Sequence, residues 1–257
     1  MRNANNQWKV TGNQATPAEF PWVVAVFYEG EYLVGGSLIA PGVVLTVADP
    51  LMDTSATKMV VRAAEWDMNS EREPFPYEER LVEKIVSHED FHFTTGANNL
   101  ALLFLKSKFQ LKYQIATICL PSIKSSFEEY GCIVAGWGRT KFTDRNNSAI
   151  LKKINLPLVN TRTCEHRLKQ TEELGWEYNL PKSLICAGAE LNQDACIGDG
   201  GSALFCPIGG HNSNTYVQVG IVNWGIECGK ENVPGTYTNV AMFAEWIKQK
   251  LLIFNYR

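Results

Sequence analysis

The run Asp194-Ala195-Cys196-Ile197-Gly198-Asp199-Gly200-Gly201-Ser202-Ala203 carries a glycine, without any side-chain oxygen, at residue 200 and leads into a short apolar strand at 203–206. Outward from it, short apolar stretches alternate with Gly, Pro and Asn turns, and helical periodicity is scarce until the end of the chain. Strands are expected at 20–28 and 32–39, joined through Glu29-Gly30-Glu31, and at 43–47, 59–63, 81–86 and 100–105. The second half continues the pattern at 133–136, 152–158, 203–206 and 216–224. Over 240–251, Phe243, Trp246, Ile247, Lys250 and Leu251 fall at helical spacing and predict a terminal amphipathic helix. A shorter helix is expected near Thr161. Strands at this frequency point to an all-β barrel or sandwich.

The chain has 257 residues, 45% hydrophobic and 20% charged, which is enough for a large core without division into domains. A net charge of −3 gives no electrostatic reason to expect nucleic acid or an anionic membrane as partner. No apolar run approaches the roughly 18 residues of a membrane span. Residues 1–9 are polar and lack the apolar stretch of a secretory leader, so either the protein is not secreted or the sequence is a processed or truncated piece. The cysteines are Cys119, Cys132, Cys164, Cys186, Cys196, Cys206 and Cys228. None forms a Cys-x-x-Cys or Cys/His ligand spacing, which argues against zinc. Dispersed cysteines in this number suggest an oxidising compartment, and their odd count leaves one thiol free or bonded to another polypeptide. The expectation is an extracellular protein whose secretory segment is missing from this sequence.

Several landmarks then line up from about Val10 to Leu251. They are Val10-Thr11-Gly12-Asn13, Phe20-Pro21-Trp22, Gly35-Gly36-Ser37-Leu38-Ile39 and Cys132-Ile133-Val134-Ala135-Gly136-Trp137-Gly138. Ile185-Cys186-Ala187-Gly188, Trp224-Gly225 and Pro234-Gly235-Thr236-Tyr237-Thr238-Asn239-Val240 follow in order. With the 194–203 run, which is similar to Gly-Asp-Ser-Gly-Gly-Pro, the chain resembles the trypsin/chymotrypsin family of serine proteases. The resemblance implies two six-stranded antiparallel β-barrels with a C-terminal helix and a cleft between the barrels. Residues 1–9 would be the end of a pro-region and 10–257 the protease-like domain.

The departures fall on the chemistry. Leu45-Thr46-Val47-Ala48-Asp49-Pro50 carries Asp49 where the family has its general-base histidine, and Asn98-Asn99-Leu100-Ala101 carries Asn99 for the orienting aspartate. Gly200 stands in the place of the serine nucleophile, and it has no oxygen to attack a carbonyl. Losing the nucleophile or the base alone costs on the order of a million-fold in turnover. What the resemblance leaves is an oxyanion hole, here the backbone of Gly198 and Gly200, and substrate binding. Ser202 lies roughly 6–7 Å along extended chain from residue 200, outside hydrogen-bonding reach of the old site. His88, His92, His166 and His211 fall in segments that read as loops or a helix away from the cleft.

The resemblance also pairs Cys132 with Cys206, Cys164 with Cys186 and Cys196 with Cys228, each bond contributing about 2–4 kcal/mol. The family's bridge around the histidine loop is absent, its two positions being Val34 and Pro50. Cys119 is left over; in many relatives this position bonds a pro-region cysteine, which implies a disulfide-linked N-terminal light chain or clip domain, with a free or intermolecular thiol as the alternative. Lys9-Val10 lies at the activation cut of the family, where the freed ammonium of Val10 would bury itself against Asp199 and order the cleft. Asp194, Gly225 and Gly235 match the primary specificity pocket, whose carboxylate would take Arg or Lys. Glu65, Asp67 and Glu78 resemble the calcium loop of some relatives, with an ordinary acidic surface loop as the other reading. Asn146-Asn147-Ser148 is the single glycosylation sequon.

These residues together imply a non-catalytic serine protease homologue, similar to the arthropod clip-domain type related to prophenoloxidase-activating factors. Its expected role is that of a secreted binding cofactor in an extracellular protease cascade, without cofactors or a metal of its own. Its expected partners are an activating trypsin-like protease and a cascade zymogen. The alternative is an active trypsin-like endopeptidase.

Overall fold

The computed structural model describes residues 10–122, 131–209 and 215–254. In the first half, β1 (Val23–Tyr28), β2 (Glu31–Ala40), β3 (Val43–Thr46), β4 (Met59–Ala63), β5 (Glu78–Ser87) and β6 (Ala101–Leu105) close into an antiparallel barrel in the order β1-β2-β3-β6-β5-β4. The pleat sorts its side chains: along β4, Met59, Val61 and Ala63 are buried while Val60 and Arg62 between them are partly exposed. β3 and β6 lie against one another and are buried on both faces.

The second half forms a curled sheet from β7 (Cys132–Gly136), β8 (Lys152–Leu156), β9 (Leu158–Val159), β10 (Leu184–Gly188), β11 (Ala203–Pro207), β12 (Tyr216–Trp224) and β13 (Pro234–Asn239). Its order is β8-β7-β11-β12-β13-β10-β9, so the two outermost strands are consecutive pieces of chain. This refines the expected pair of six-stranded barrels: the first is closed, and the second is a half-barrel of seven strands. The single strand expected at 152–158 is broken at Pro157, which has no N–H to give to a ladder. β10 and β13 do not stand out by periodicity, because Gly188, Pro234 and Gly235 read as turn residues although they pair within the sheet.

α1 (Thr161–Lys169) starts where expected, and the Asn160 side chain caps it by accepting from the Arg162 N–H. The expected terminal helix begins as a 3-10 turn, Val240–Phe243, and continues as α2 (Ala244–Ile253). Phe243 and Ile247 seat it on the first barrel's core. Between the barrels Phe20, Trp22 and Phe205 pack with ring centroids 5.0–6.0 Å apart. All three expected disulfides are formed, and Cys119 is a free, exposed thiol.

Candidate functional site

The cleft is assembled by hydrogen bonds that cross between the barrels. The Gly35 N–H donates to the Gly200 carbonyl at 2.9 Å, and the Tyr32 hydroxyl to the Gly198 carbonyl at 2.9 Å. Thr238 Oγ1 donates to the Asn99 carbonyl at 2.7 Å, and Asn99 Nδ2 to Asn223 Oδ1 at 2.8 Å. Residues 49 and 99 therefore lie on the first-barrel side of a fixed seam and residue 200 on the second-barrel side.

Asn99 is buried and uses its whole amide. Its Oδ1 accepts from the N–H groups of Ala48 (2.8 Å) and Asp49 (3.1 Å), while Nδ2 donates to Asp49 Oδ1 (3.1 Å) as well as to Asn223. It thereby ties down the 3-10 turn Asp49–Leu51 that follows β3. Desolvation holds the Asp49 carboxyl above the usual carboxylate range, against the lowering pull of Asn99. Gly200 is different in kind. Its backbone angles are open to any residue, and a Cβ built there meets nothing within 4 Å. The fold would accept a side chain at 200, and the sequence supplies none. Gly198, by contrast, sits at φ +93°, where a side chain is strained. Ser202 points inward: it is buried, its Oγ has no hydrogen-bond partner, and it lies against Gly35 and Gly136.

Beside this seam opens a cavity of about 280 Å³ lined by Asp194, Gly198, Gly200, Gly225 and Gly235 among others. Asp194 is 8% exposed. Its Oδ2 accepts from the Gly229 N–H at 3.2 Å, but Oδ1 has no partner. The Tyr237 hydroxyl, also lining the cavity, is buried and unpartnered too. Burial pushes the Asp194 carboxyl up to about 7. The walls are bare, since a Cβ on Gly225 would touch only the Gly235 backbone, at 3.9 Å. The arrangement suits a long cationic side chain, whose charge would replace the missing hydrogen bond.

Residues 9–247 match the family model for trypsin. The chain belongs to the trypsin family. It is 39% identical over 254 residues to Phenoloxidase-activating factor 2 of Galleria mellonella, an alignment covering 93% of this chain and 82% of that protein. It is 38% identical to Inactive CLIP domain-containing serine protease A8 of Anopheles gambiae, covering 93% and 67% of the two chains. With Inactive CLIP domain-containing serine protease A28 of the same species it shares 35%, covering 91% and 62%.

Sequence reasoning missed one residue at the heart of this trypsin-family site. In the continuous chain the Asp199 carboxylate is bound by the ammonium of Lys152, with both side chains buried. Asp199 also accepts from the N–H groups of Gly138 (2.8 Å) and Cys196 (2.9 Å). The available signal was a charged pair, Lys152-Lys153, inside a strand whose neighbours are apolar. Lys9, the other part of the expected switch, lies outside the described residues, as does His211. Val10 is half-buried against the apolar cluster between the barrels.

The remaining expectations fall away from the cleft. Glu65 is paired with Arg62 at 2.8 Å, and Glu78 with Arg80 and Lys112, so the calcium-loop carboxylates are held by cations of the chain itself. Asp67 accepts from the Asn69 N–H, and no group of three metal-ligating side chains converges among the described residues. His88 packs on Phe243 and Trp246, His92 bonds Thr95, and His166 lies near Trp176. Asn146 is exposed. No helix among the described residues is long and apolar enough to cross a membrane.

Proposed function

We propose that this chain is a non-catalytic trypsin-family homologue that works by binding. One observation carries the reading: the same cleft pairs a bare residue 200 with an unpartnered, buried Asp194 oxygen. Without a nucleophile, and with Asp49 and Asn99 engaged with each other, there is no route to an acyl-enzyme. The Asp194 cavity instead takes an Arg or Lys side chain of a protein partner. Gly198 and Gly200 border that cavity, and their backbone serves a carbonyl of the same partner.

The printed names of the relatives, a phenoloxidase-activating factor and inactive clip-domain proteases, support a role as cofactor in an extracellular protease cascade of the melanization type. In that setting the protein is secreted and is cut after Lys9 by a trypsin-like protease. Cys119 then links it to a light chain or clip domain, and a zymogen of the cascade is its partner. Three experiments on the full chain test the reading: titration with p-aminobenzamidine, turnover of a fluorogenic Arg substrate and labelling by a serine-reactive phosphonate. The expected result is saturable binding below about millimolar concentration, lost in Asp194→Asn, with neither turnover nor label. Turnover together with labelling would establish the alternative, an active endopeptidase. No binding at millimolar concentration would mean that the pocket is vestigial.

A further inference from the structure

A buried carboxylate without a counter-charge is strongly destabilising, so whatever neutralises Asp199 governs the loop that it anchors. Asp199 is fully buried in a cradle made for it. A Cβ on Gly138 would lie 2.4 Å from Asp199 Cγ, and one on Gly136 2.5 Å from its Oδ1. Of its two backbone donors, Cys196 opens the loop that carries Gly198 and Gly200, and Gly138 ties that loop to the end of β7. The remaining partner is Lys152, which strand register places opposite Gly136 in the β7–β8 pair. Lysine is almost never this buried unless paired, so the position is a built ion-pair site and not an accident of the surface.

The N-terminal segment runs along the free side of β8. Gln14 bridges to Lys152, the Ala15 N–H donates to the Leu151 carbonyl, and the Lys153 N–H donates to the Asn13 carbonyl. Val10 lies four positions before Gln14, a tether of at most about 14 Å. An ammonium released at Val10 would therefore be tethered beside the residue that already holds Asp199.

We propose that Lys152 is a built-in counter-ion that holds Asp199, and with it the loop 196–200, in its ordered arrangement before any cleavage. Cutting after Lys9 then exchanges one ammonium for another and does not create the cleft. The inference deepens the binding reading given above and rests on it for the purpose of the loop, but its primary test needs no ligand. Amide hydrogen exchange at Gly138 and Cys196 is measured in the uncleaved and the Lys9-cleaved chain, for the wild type, Lys152→Met and Lys152→Arg.

The wild type should exchange at these amides within about twofold in the two forms. Uncleaved Lys152→Met should exchange roughly a hundredfold faster. Cleavage should restore its protection as the Val10 ammonium takes the vacated place, and Lys152→Arg should stay near the wild type. Unchanged protection in uncleaved Lys152→Met would overturn the proposal. So would a wild type that gains more than about tenfold protection on cleavage, a comparison that stands even where Lys152→Met fails to fold. Expected exchange with no p-aminobenzamidine binding in any form would sink the pocket reading and leave this one standing.

Discussion

At residues 49 and 99 polar side chains satisfy one another, whereas at Asp194, in the same cleft, one carboxylate oxygen is left with nothing. Asn99 makes four hydrogen bonds through its amide and ties Ala48, Asp49 and Asn223 together. Asp194 is buried with one oxygen bonded to the Gly229 N–H and the other uncompensated, and Gly225 and Gly235 keep the slot in front of it clear. An idle pocket would be expected to fill or to lose its charge, because an unpaired buried carboxylate lowers stability for no return. The contrast supports the proposed reading, in which bond-breaking and gripping are separable on this scaffold. The first needs three aligned groups, and the second needs one anion at the bottom of a hole.

The severest trial of that contrast is to put the chemistry back. Gly200 has room for a side chain and ordinary backbone angles, so Asp49→His, Asn99→Asp and Gly200→Ser together should fold. They should raise hydrolysis of an Arg amide at least about a thousandfold over wild type, whereas Gly200→Ser alone stays at background for want of a base. A triple variant that binds p-aminobenzamidine but never cuts would show that more than these three side chains separates the chain from an enzyme.

Next in size is Asn99→Ala, which strands the buried Ala48 N–H and frees Asp49 and Asn223. It should cost roughly 2–4 kcal/mol in a denaturation series. A loss under about 0.5 kcal/mol would mean that the network at Asp49 and Asn99 is not structural.

The smallest effect concerns Asp194 and has a definite sign. Its folded-state pKa is raised to about 7, so the folded protein holds a proton that the unfolded chain releases near pH 4. Its contribution to stability therefore falls as pH rises from about 4 to 7. Asp194→Asn removes that loss, and its advantage in unfolding free energy over wild type, read from denaturant titrations, should widen across this window, to on the order of 2 kcal/mol once water at the open mouth is allowed for. Binding of p-aminobenzamidine to the wild type should strengthen over the same range as the carboxylate ionises. A pH-independent gap would place the proton elsewhere.

Much of this was legible before any coordinates. Strands such as Met59–Ala63 and Tyr216–Trp224 follow from their apolar patterning, and the three disulfides are those that the resemblance to the trypsin family implies. The break at Pro157 and the strand at Pro234–Asn239 were hidden because proline and glycine signal a turn whether or not a neighbouring strand is there to pair with them. The absence of a nucleophile at residue 200, and of a histidine at residue 49, is fixed by the sequence alone, since no fold can supply an atom that a side chain lacks. Which cation neutralises Asp199 was decided only in three dimensions. Lys152 lies 47 positions away and reaches it through the register of two strands, so nothing local to either residue announces the pair. The same holds for the openness of the Asp194 pocket, which depends on how loops distant in sequence leave a space between them.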